Sequence, residues 1–143
     1  MARTGFPPES AGGVVLDTSA IVAVLAGEPE RERFISLLAD ADDPTMSAAT
    51  LVETSIVMLA RTGPAGVQDL DDFLAAAAVR CVALDSIQAH LARDAYLRFG
   101  KGRSPAGLNF GDCFAYALAR ATSRPLLFKG HDFSKTDVQP AAT

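Results

Sequence analysis

Four acidic residues lie in stretches where an acid needs a partner, because each is flanked by apolar residues or glycine near the end of an expected helix or strand. They are Asp17, Glu53, Asp112 and Asp132. An unpaired buried carboxylate is costly, and a hard divalent cation offsets several such charges together. Carboxylate oxygens in such a group suit Mg²⁺ or Mn²⁺. The pattern therefore indicates a candidate metal site.

Two of these acids also have a plain structural interpretation. Asp17 is suited to cap a helix that begins at Thr18 or Ser19, and Asp132 to an ordinary turn. The hydroxyls of Thr18 and Ser19 at a helix N-terminus would orient a water or a phosphate, or serve only as caps. From these residues alone, both interpretations stay open.

The other two acids differ in how well a structural role explains them. Asp112 follows Asn109 by three residues, which is capping-box spacing, and negative charge in a first helical turn is favourable. Gly111 in that turn costs about 1 kcal/mol relative to alanine, which a close ligand or backbone would explain. Glu53, beside Ile56 on a helix, is hard to explain as a solvated residue, although a salt bridge to a distant arginine would do it.

The elements that must position these acids alternate between short strands and helices. Short apolar strands separated by helical segments predict a mainly parallel sheet covered on both faces. Such sheets bind ligands at the carboxyl ends of their strands, which is where Asp17 and Asp132 are expected. The predicted strands are 14–16, 45–46, 80–84, 125–128 and one near 138, and the predicted helices are 20–26, 30–39, 47–61, 65–78, 87–99 and 109–121.

Length and composition predict one compact domain. The chain has 143 residues, 49% of them hydrophobic, which supports a single core. Residues 1–13 are rich in proline, glycine and small polar residues, so we expect a flexible leader before a domain at 14–143. The chain lacks an apolar run that could cross a bilayer or act as a signal peptide, which favours a cytoplasmic protein with no membrane partner. Cys81 and Cys113 are expected to be reduced core residues.

The charge balance limits the kind of nucleic-acid surface that is expected. A net charge of −4 argues against a broad basic face, but divalent ions bound by clustered acids would reverse the local field. The segment 93–103 holds four cationic residues and one acid. Within it, Lys101 and Arg103 are candidate phosphate contacts, and a solvated loop is the competing interpretation.

Four segments in a fixed order resemble the PIN-domain family, and most closely its VapC-type toxins. They are Val-Leu-Asp-Thr-Ser-Ala at 15–20, the helical acid Glu53, Leu-Asn-Phe-Gly-Asp-Cys-Phe-Ala-Tyr-Ala-Leu-Ala at 108–119, and Leu-Leu-Phe-Lys-Gly-His-Asp-Phe at 126–133 with Thr136-Asp137. The resemblance extends from residue 14 to about 138. The order of four motifs is far more specific than any one of them.

The resemblance implies a PIN-like α/β/α sandwich with a short, mainly parallel central sheet. It assigns the metal-binding and catalytic positions to the four acids, with Thr18, Ser19 and Asn109 as supporting polar groups. Two features depart from the family pattern. Many relatives begin almost at the first strand, and relatives often carry asparagine where this chain has His131.

The same resemblance implies a Mg²⁺- or Mn²⁺-dependent endoribonuclease toxin that cleaves RNA through a metal-activated water. It also implies a VapB-type antitoxin whose tail fills the active-site groove, a homodimer, and contact with DNA only through the antitoxin. One alternative is a catalytically silent PIN-like module that binds RNA or the antitoxin. A dehalogenase-type phosphatase is disfavoured, because its second acid would fall at Ser19.

Overall fold

The computed structural model describes residues 13–142. Within these residues, four parallel strands form one sheet in the order β3-β2-β1-β4: β1 Gly13–Leu16, β2 Asp43–Ser47, β3 Arg80–Val82 and β4 Leu126–Leu127. Six helices of the described part of the chain flank the sheet: α1 Thr18–Leu25, α2 Arg31–Asp40, α3 Ala48–Thr62, α4 Pro64–Ala76, α5 Ser86–Phe99 and α6 Phe110–Thr122. A 3₁₀ turn spans Phe133–Lys135. The result is the predicted α/β/α sandwich.

The central strand shows why the sheet needs helices on both faces. Successive side chains of a strand point to opposite faces, and Val14 and Leu16 pack into one core cluster while Val15 packs into another. The first cluster includes Phe34 of α2, and the second includes Tyr116 of α6. Because both faces are buried, β1 is apolar throughout instead of alternating with polar residues.

Several predicted boundaries move by a few residues. Helix α1 begins two residues earlier than predicted, and β4 is two residues long instead of four. The strand predicted near Val138 is wrong, since within residues 13–142 this segment contributes one parallel bridge, between Leu126 and Pro140. The predicted leader lies outside the described residues, except for Gly13, which begins β1.

Two expectations about burial are corrected. Cys81 is exposed, because β3 is a three-residue strand at the edge of the sheet, whereas Cys113 is buried as predicted. The apolar residues that predicted α3 do not all face the core, since Val52 and Ile56 are more than half exposed. The buried side of α3 is instead Thr50, Thr54 and Met58.

The topology brings three chain segments to the carboxyl edge of the sheet. Asp17 follows β1 directly, and the segment after β4 leads to Asp132. Helix α3 starts at the end of β2 and contacts α6, which brings Glu53 toward the first turn of α6. Within residues 13–142, none of the helices has the length and apolar character needed to cross a membrane.

Candidate active site

A cavity of about 450 Å³ opens at this carboxyl edge, and all four predicted acids line it. The predicted supporting residues Thr18, Ser19 and Asn109 line it as well. These residues come from the ends of β1 and β4, from α3 and from the start of α6, so only the folded chain brings them together. The remaining lining residues are Val22, Glu28, Val57, Arg61, Lys129 and Gly130.

Asp17 is both a helix cap and a candidate ligand, because its two oxygens have different surroundings. Oδ2 accepts hydrogen bonds from the Ser19 backbone N–H (3.0 Å) and the Ser19 hydroxyl (2.6 Å), which caps α1. Oδ1 is buried and has no hydrogen-bond partner among the described residues. The side chain is only 2% exposed. Burial, and the nearby Glu53 carboxylate to a smaller extent, raise the pKa of Asp17 to about 6.

Glu53 is half-buried, as predicted, and is oriented by a chain of hydroxyl groups. The Thr18 hydroxyl donates to Glu53 Oε1 over 2.6 Å and lies 2.9 Å from the Thr54 hydroxyl. Thr54 is fully buried and also donates to the Thr50 carbonyl, which anchors this chain within α3. Thr54 was not predicted from the sequence, since a threonine inside a helix gives no distinctive signal.

Gly111 provides the space that the Glu53 side chain occupies. A methyl group added at residue 111 would overlap the Glu53 carboxylate. The glycine in this helical turn predicted that another group comes close to it. That group is the Glu53 carboxylate, which belongs to the site itself. Helices α3 and α6 approach closely here because residue 111 of α6 is a glycine, which has no side chain.

Asp112 is fixed by the capping box that its spacing predicted. Asn109 Oδ1 accepts from the Asp112 backbone N–H (2.9 Å), and Asp112 Oδ2 accepts from the Asn109 backbone N–H (3.0 Å). Burial and the negative charges of the other three acids raise the pKa of Asp112 to about 7, although the bond from Asn109 acts in the opposite direction. Capping and membership of the acid cluster are thus properties of the same side chain.

Asp132 lies at the exposed rim of the cavity, where it begins the 3₁₀ turn without making a side-chain capping bond. The segment that carries it is tied to α1, because the Lys129 backbone N–H donates to the Ser19 hydroxyl over 2.9 Å. Its carboxylate contributes to the raised pKa of Asp112. A role as an ordinary turn acid explains its place in the chain but not its place beside three other carboxylates.

The opposite edge of the sheet shows how a structural acid behaves in this protein. Asp43 at the start of β2 accepts hydrogen bonds from Arg80 (2.9 Å) and from the buried Arg124 (2.8 Å). These arginines lower the pKa of Asp43, with the Arg80 hydrogen bond as the largest cause. Asp17 and Asp112 form no ion pair with a lysine or arginine among the described residues, and burial is the largest of the causes that raise their pKa values.

The donor set fits a hard divalent cation. Its candidate ligands are carboxylate oxygens, which Mg²⁺ and Mn²⁺ prefer. One of them, the buried Asp17 Oδ1, accepts no hydrogen bond from any of the described residues. The four acids share a cavity without converging on one point, and among residues 13–142 no three His, Cys, Asp or Glu side chains form a ready ligand group. The metal-binding role of the four acids stays a prediction.

Lys101 and Arg103 are not among the residues that line the acid cavity. They lie in the turn after α5, where the Arg103 guanidinium donates to the Leu97 carbonyl over 3.1 Å. His131 is exposed and is also absent from the lining. The predicted RNA contacts of Lys101 and Arg103 therefore require RNA that extends beyond the cavity, and they remain predictions.

Comparison with known proteins identifies the family. The family model for the PIN domain matches residues 14–139. The chain is a PIN-domain protein. Among its relatives are "Ribonuclease VapC" of Mycolicibacterium smegmatis, 52% identical over 125 residues and covering 87% of this chain and 97% of the relative, and "Ribonuclease VapC30" of Mycobacterium tuberculosis, 49% identical over 129 residues and covering 90% and 98%.

Solved structures agree with this PIN-domain fold. The Mycobacterium tuberculosis VapC20, described as a sarcin-ricin loop cleaving toxin, matches with a TM-score of 0.73 at 18% identity and covers 90% of this chain and 98% of that one. VapBC2 from Rickettsia felis, bound to a DNA fragment from its promoter, matches with a TM-score of 0.71 at 14% identity and covers 90% and 96%. At these identities the likeness shows a common fold.

The raised pKa of Asp17 predicts how its charge affects stability. The Asp17 carboxyl keeps its proton up to about pH 6 in the folded state but loses it near pH 3.8 in the unfolded chain. Protonated Asp17 therefore favours the folded state at low pH, and this contribution is lost as pH rises through 6. In EDTA, the stability of Asp17→Asn relative to the wild type should therefore rise by on the order of 2–3 kcal/mol between pH 4 and pH 8, because only the aspartate becomes a buried charge. Urea unfolding at both pH values measures this, and a difference between the two proteins that does not change with pH would contradict it.

Gly111→Ala should separate the geometry of the site from the stability of the fold. Alanine favours a helix by about 1 kcal/mol over glycine, so the variant should unfold no more easily than the wild type. The new methyl group displaces the Glu53 carboxylate, which is one of the proposed ligands, so Mn²⁺ affinity should fall about tenfold. Calorimetric titration with Mn²⁺ measures this, and unchanged affinity would show that Glu53 needs no such space.

Proposed function

We propose that this PIN-domain protein is a metal-dependent endoribonuclease toxin of a VapBC toxin–antitoxin pair, active in the cytoplasm. The observation that carries the proposal is the single cavity lined by four acids, one of which has a buried oxygen without a partner among the described residues. Two relatives at about 50% identity that match almost the whole domain bear the name ribonuclease VapC, which supports the same activity.

Mg²⁺ or Mn²⁺ is the proposed cofactor, held by Asp17, Glu53, Asp112 and Asp132. When bound, a divalent ion supplies positive charge that activates water and stabilises charge on a phosphate. Four uncompensated carboxylates would repel an RNA phosphate, so without that charge the cavity is poorly suited to a polyanion. RNA cleavage is accordingly expected to require the ion.

The chain's own residues contribute fixed orientation. Ser19 holds one oxygen of Asp17 and leaves the other pointing to no protein partner, and Thr18 holds one oxygen of Glu53. The capping box restrains Asp112. Three of the four carboxylates are therefore oriented before RNA binds, which reduces the cost of ordering the site during catalysis. Asp132 at the exposed rim completes the set.

A VapB-type antitoxin is the proposed protein partner, with its tail in the acid cavity and a basic side chain pairing the carboxylates. VapBC2 from Rickettsia felis, which shares this fold, is bound to a DNA fragment from its promoter, and this supports a toxin–antitoxin assembly. Contact with DNA would then be made through the antitoxin. The acidic cavity suits a basic residue for the same reason that it suits a cation.

A second copy of this chain is the proposed occupant of an apolar groove between α3 and α6. The groove has a volume of about 460 Å³, and Val52, Ile56 and Phe110 are exposed along it. Phe110 is 77% exposed and packs edge-on against Phe114, with 4.8 Å between ring centroids. A contiguous aromatic and aliphatic surface of this kind marks an interaction site. Because Glu53 lines both the groove and the acid cavity, the proposed homodimer contact borders the active site.

The proposed activity predicts cleavage of cellular RNA by purified protein in Mg²⁺ or Mn²⁺. Cleavage should stop in EDTA, and a folded Asp112→Asn variant should lose at least about a hundredfold of the rate, because it removes one of the charges that hold the ion. Sequencing of RNA ends measures the cleavage. Robust cleavage in EDTA contradicts the metal mechanism, and Mn²⁺ binding without any cleavage would favour the silent binding module.

The proposed dimer predicts that one charge in the groove separates the copies. Ile56→Glu should convert a dimer into a monomer at micromolar concentration, because the substituted side chain would be desolvated in the contact. Leu97→Glu on α5 is the matched control, since Leu97 is 55% exposed and Ile56 is 61% exposed, and Leu97 lies outside the groove. Light scattering after gel filtration measures the mass. A wild-type monomer at this concentration would contradict the proposal.

A further inference from the structure

Two cationic side chains, Lys129 and Arg61, line the acid cavity, and their surroundings differ. Lys129 Nζ lies 3.2 Å from Glu28 Oε1 and 3.4 Å from Glu30 Oε1, so two carboxylates share its charge. These ion pairs join the segment after β4 to the connection between α1 and α2. The charge of Lys129 therefore already serves to hold the wall of the cavity.

Arg61 is the other cation, and it is exposed in the last turn of α3. Within residues 13–142, its guanidinium takes part in none of the protein's hydrogen bonds, ion pairs or cation–π contacts. Its charge at the C-terminal end of a helix is favourable by only a few tenths of a kcal/mol. An arginine that lines a cavity with several carboxylates and pairs with none of them is available for another anion.

The position of Arg61 along the acid cavity follows from helix geometry. Glu53, Val57 and Arg61 are spaced by four residues, and all three line the same cavity. Eight residues of an α-helix rise about 12 Å, so Arg61 lies roughly two turns beyond Glu53 along this wall. No ion pair or hydrogen bond joins the Glu53 carboxylate and the Arg61 guanidinium in the described part of the chain. One face of α3 thus presents a carboxylate at one end and, at the other, a cation that pairs with none of residues 13–142.

We propose that Arg61 binds a phosphate of the RNA substrate away from the cleaved bond, and so sets how the strand enters the acid cavity; this rests on the proposed ribonuclease function. A guanidinium binds phosphate oxygens in a bidentate manner, whereas Lys129 lacks that fork and is already paired. The other charged side chains of the cavity wall are Lys129, which is already paired, and carboxylates, which repel RNA phosphates. A guanidinium at the far end of α3 therefore favours one path for the RNA strand. Arg61 acts in substrate binding and does not touch the reacting atoms.

The test compares Arg61→Gln and Arg61→Lys with Arg33→Gln, an exposed arginine on α2 outside the cavity. The substrate is a short single-stranded RNA that carries the site which the wild type cleaves in cellular RNA. Arg61→Gln should raise KM about fivefold or more with kcat within twofold of wild type, and should lower the slope of log KM against log salt by about 0.7. Arg61→Lys should keep most of the wild-type salt dependence of KM, and Arg33→Gln should have the KM, kcat and salt dependence of the wild type.

Wild-type KM and salt slope in Arg61→Gln would overturn the assignment of Arg61 and leave the nuclease proposal intact. A lower kcat with unchanged KM and slope would also overturn it, because it would indicate a positional effect on the acids. If the wild type cleaves no RNA under any metal condition, the proposed function fails and this inference fails with it. Urea unfolding of each variant confirms that the folds are equally stable.

Discussion

The organising constraint of this protein is the uncompensated negative charge at the carboxyl edge of its sheet. Asp17 is almost completely buried, and its carboxylate shares a cavity with Glu53, Asp112 and Asp132. Burial and mutual repulsion raise the pKa values of Asp17 and Asp112, whereas Asp43 at the other edge is paired with arginines and has a lowered pKa. Raised pKa values of buried acids that share one cavity are the pattern expected of a functional site.

Local structure and site geometry depend on the same hydrogen bonds. Asp17 caps α1 by accepting from Ser19 through one oxygen, which fixes the direction of the other, and the capping box of α6 restrains Asp112. The competing interpretations of these acids, helix cap or ligand, are therefore compatible. A cap pairs with backbone N–H groups that have no partner inside the helix. The hydrogen bonds that complete the first turns of α1 and α6 therefore also orient Asp17 and Asp112.

The sequence predicted the sandwich, the capping box and the grouping of the four acids, because these follow from local patterns, from where parallel strands end and from the resemblance to the PIN-domain family; the metal-binding role of the acids stays a prediction. It did not predict Thr54 or the pairing of Lys129 with Glu28, because these contacts depend on packing between elements far apart in the chain. Exposure was also harder to predict. Cys81 is apolar in type but lies on a three-residue edge strand, and Ile56 continues an apolar helical pattern that the domain leaves uncovered.

The most direct test of the acid site is the location of a bound ion. Crystals soaked in MnCl₂ and measured at a wavelength where manganese scatters anomalously would reveal its position. The predicted result is a peak in the cavity at about 2.1 Å from Asp17 Oδ1, with at least one further oxygen from Glu53, Asp112 or Asp132, and its loss in Asp17→Asn. A cavity without a peak at Mn²⁺ concentrations that support RNA cleavage would contradict the assignment of these four acids.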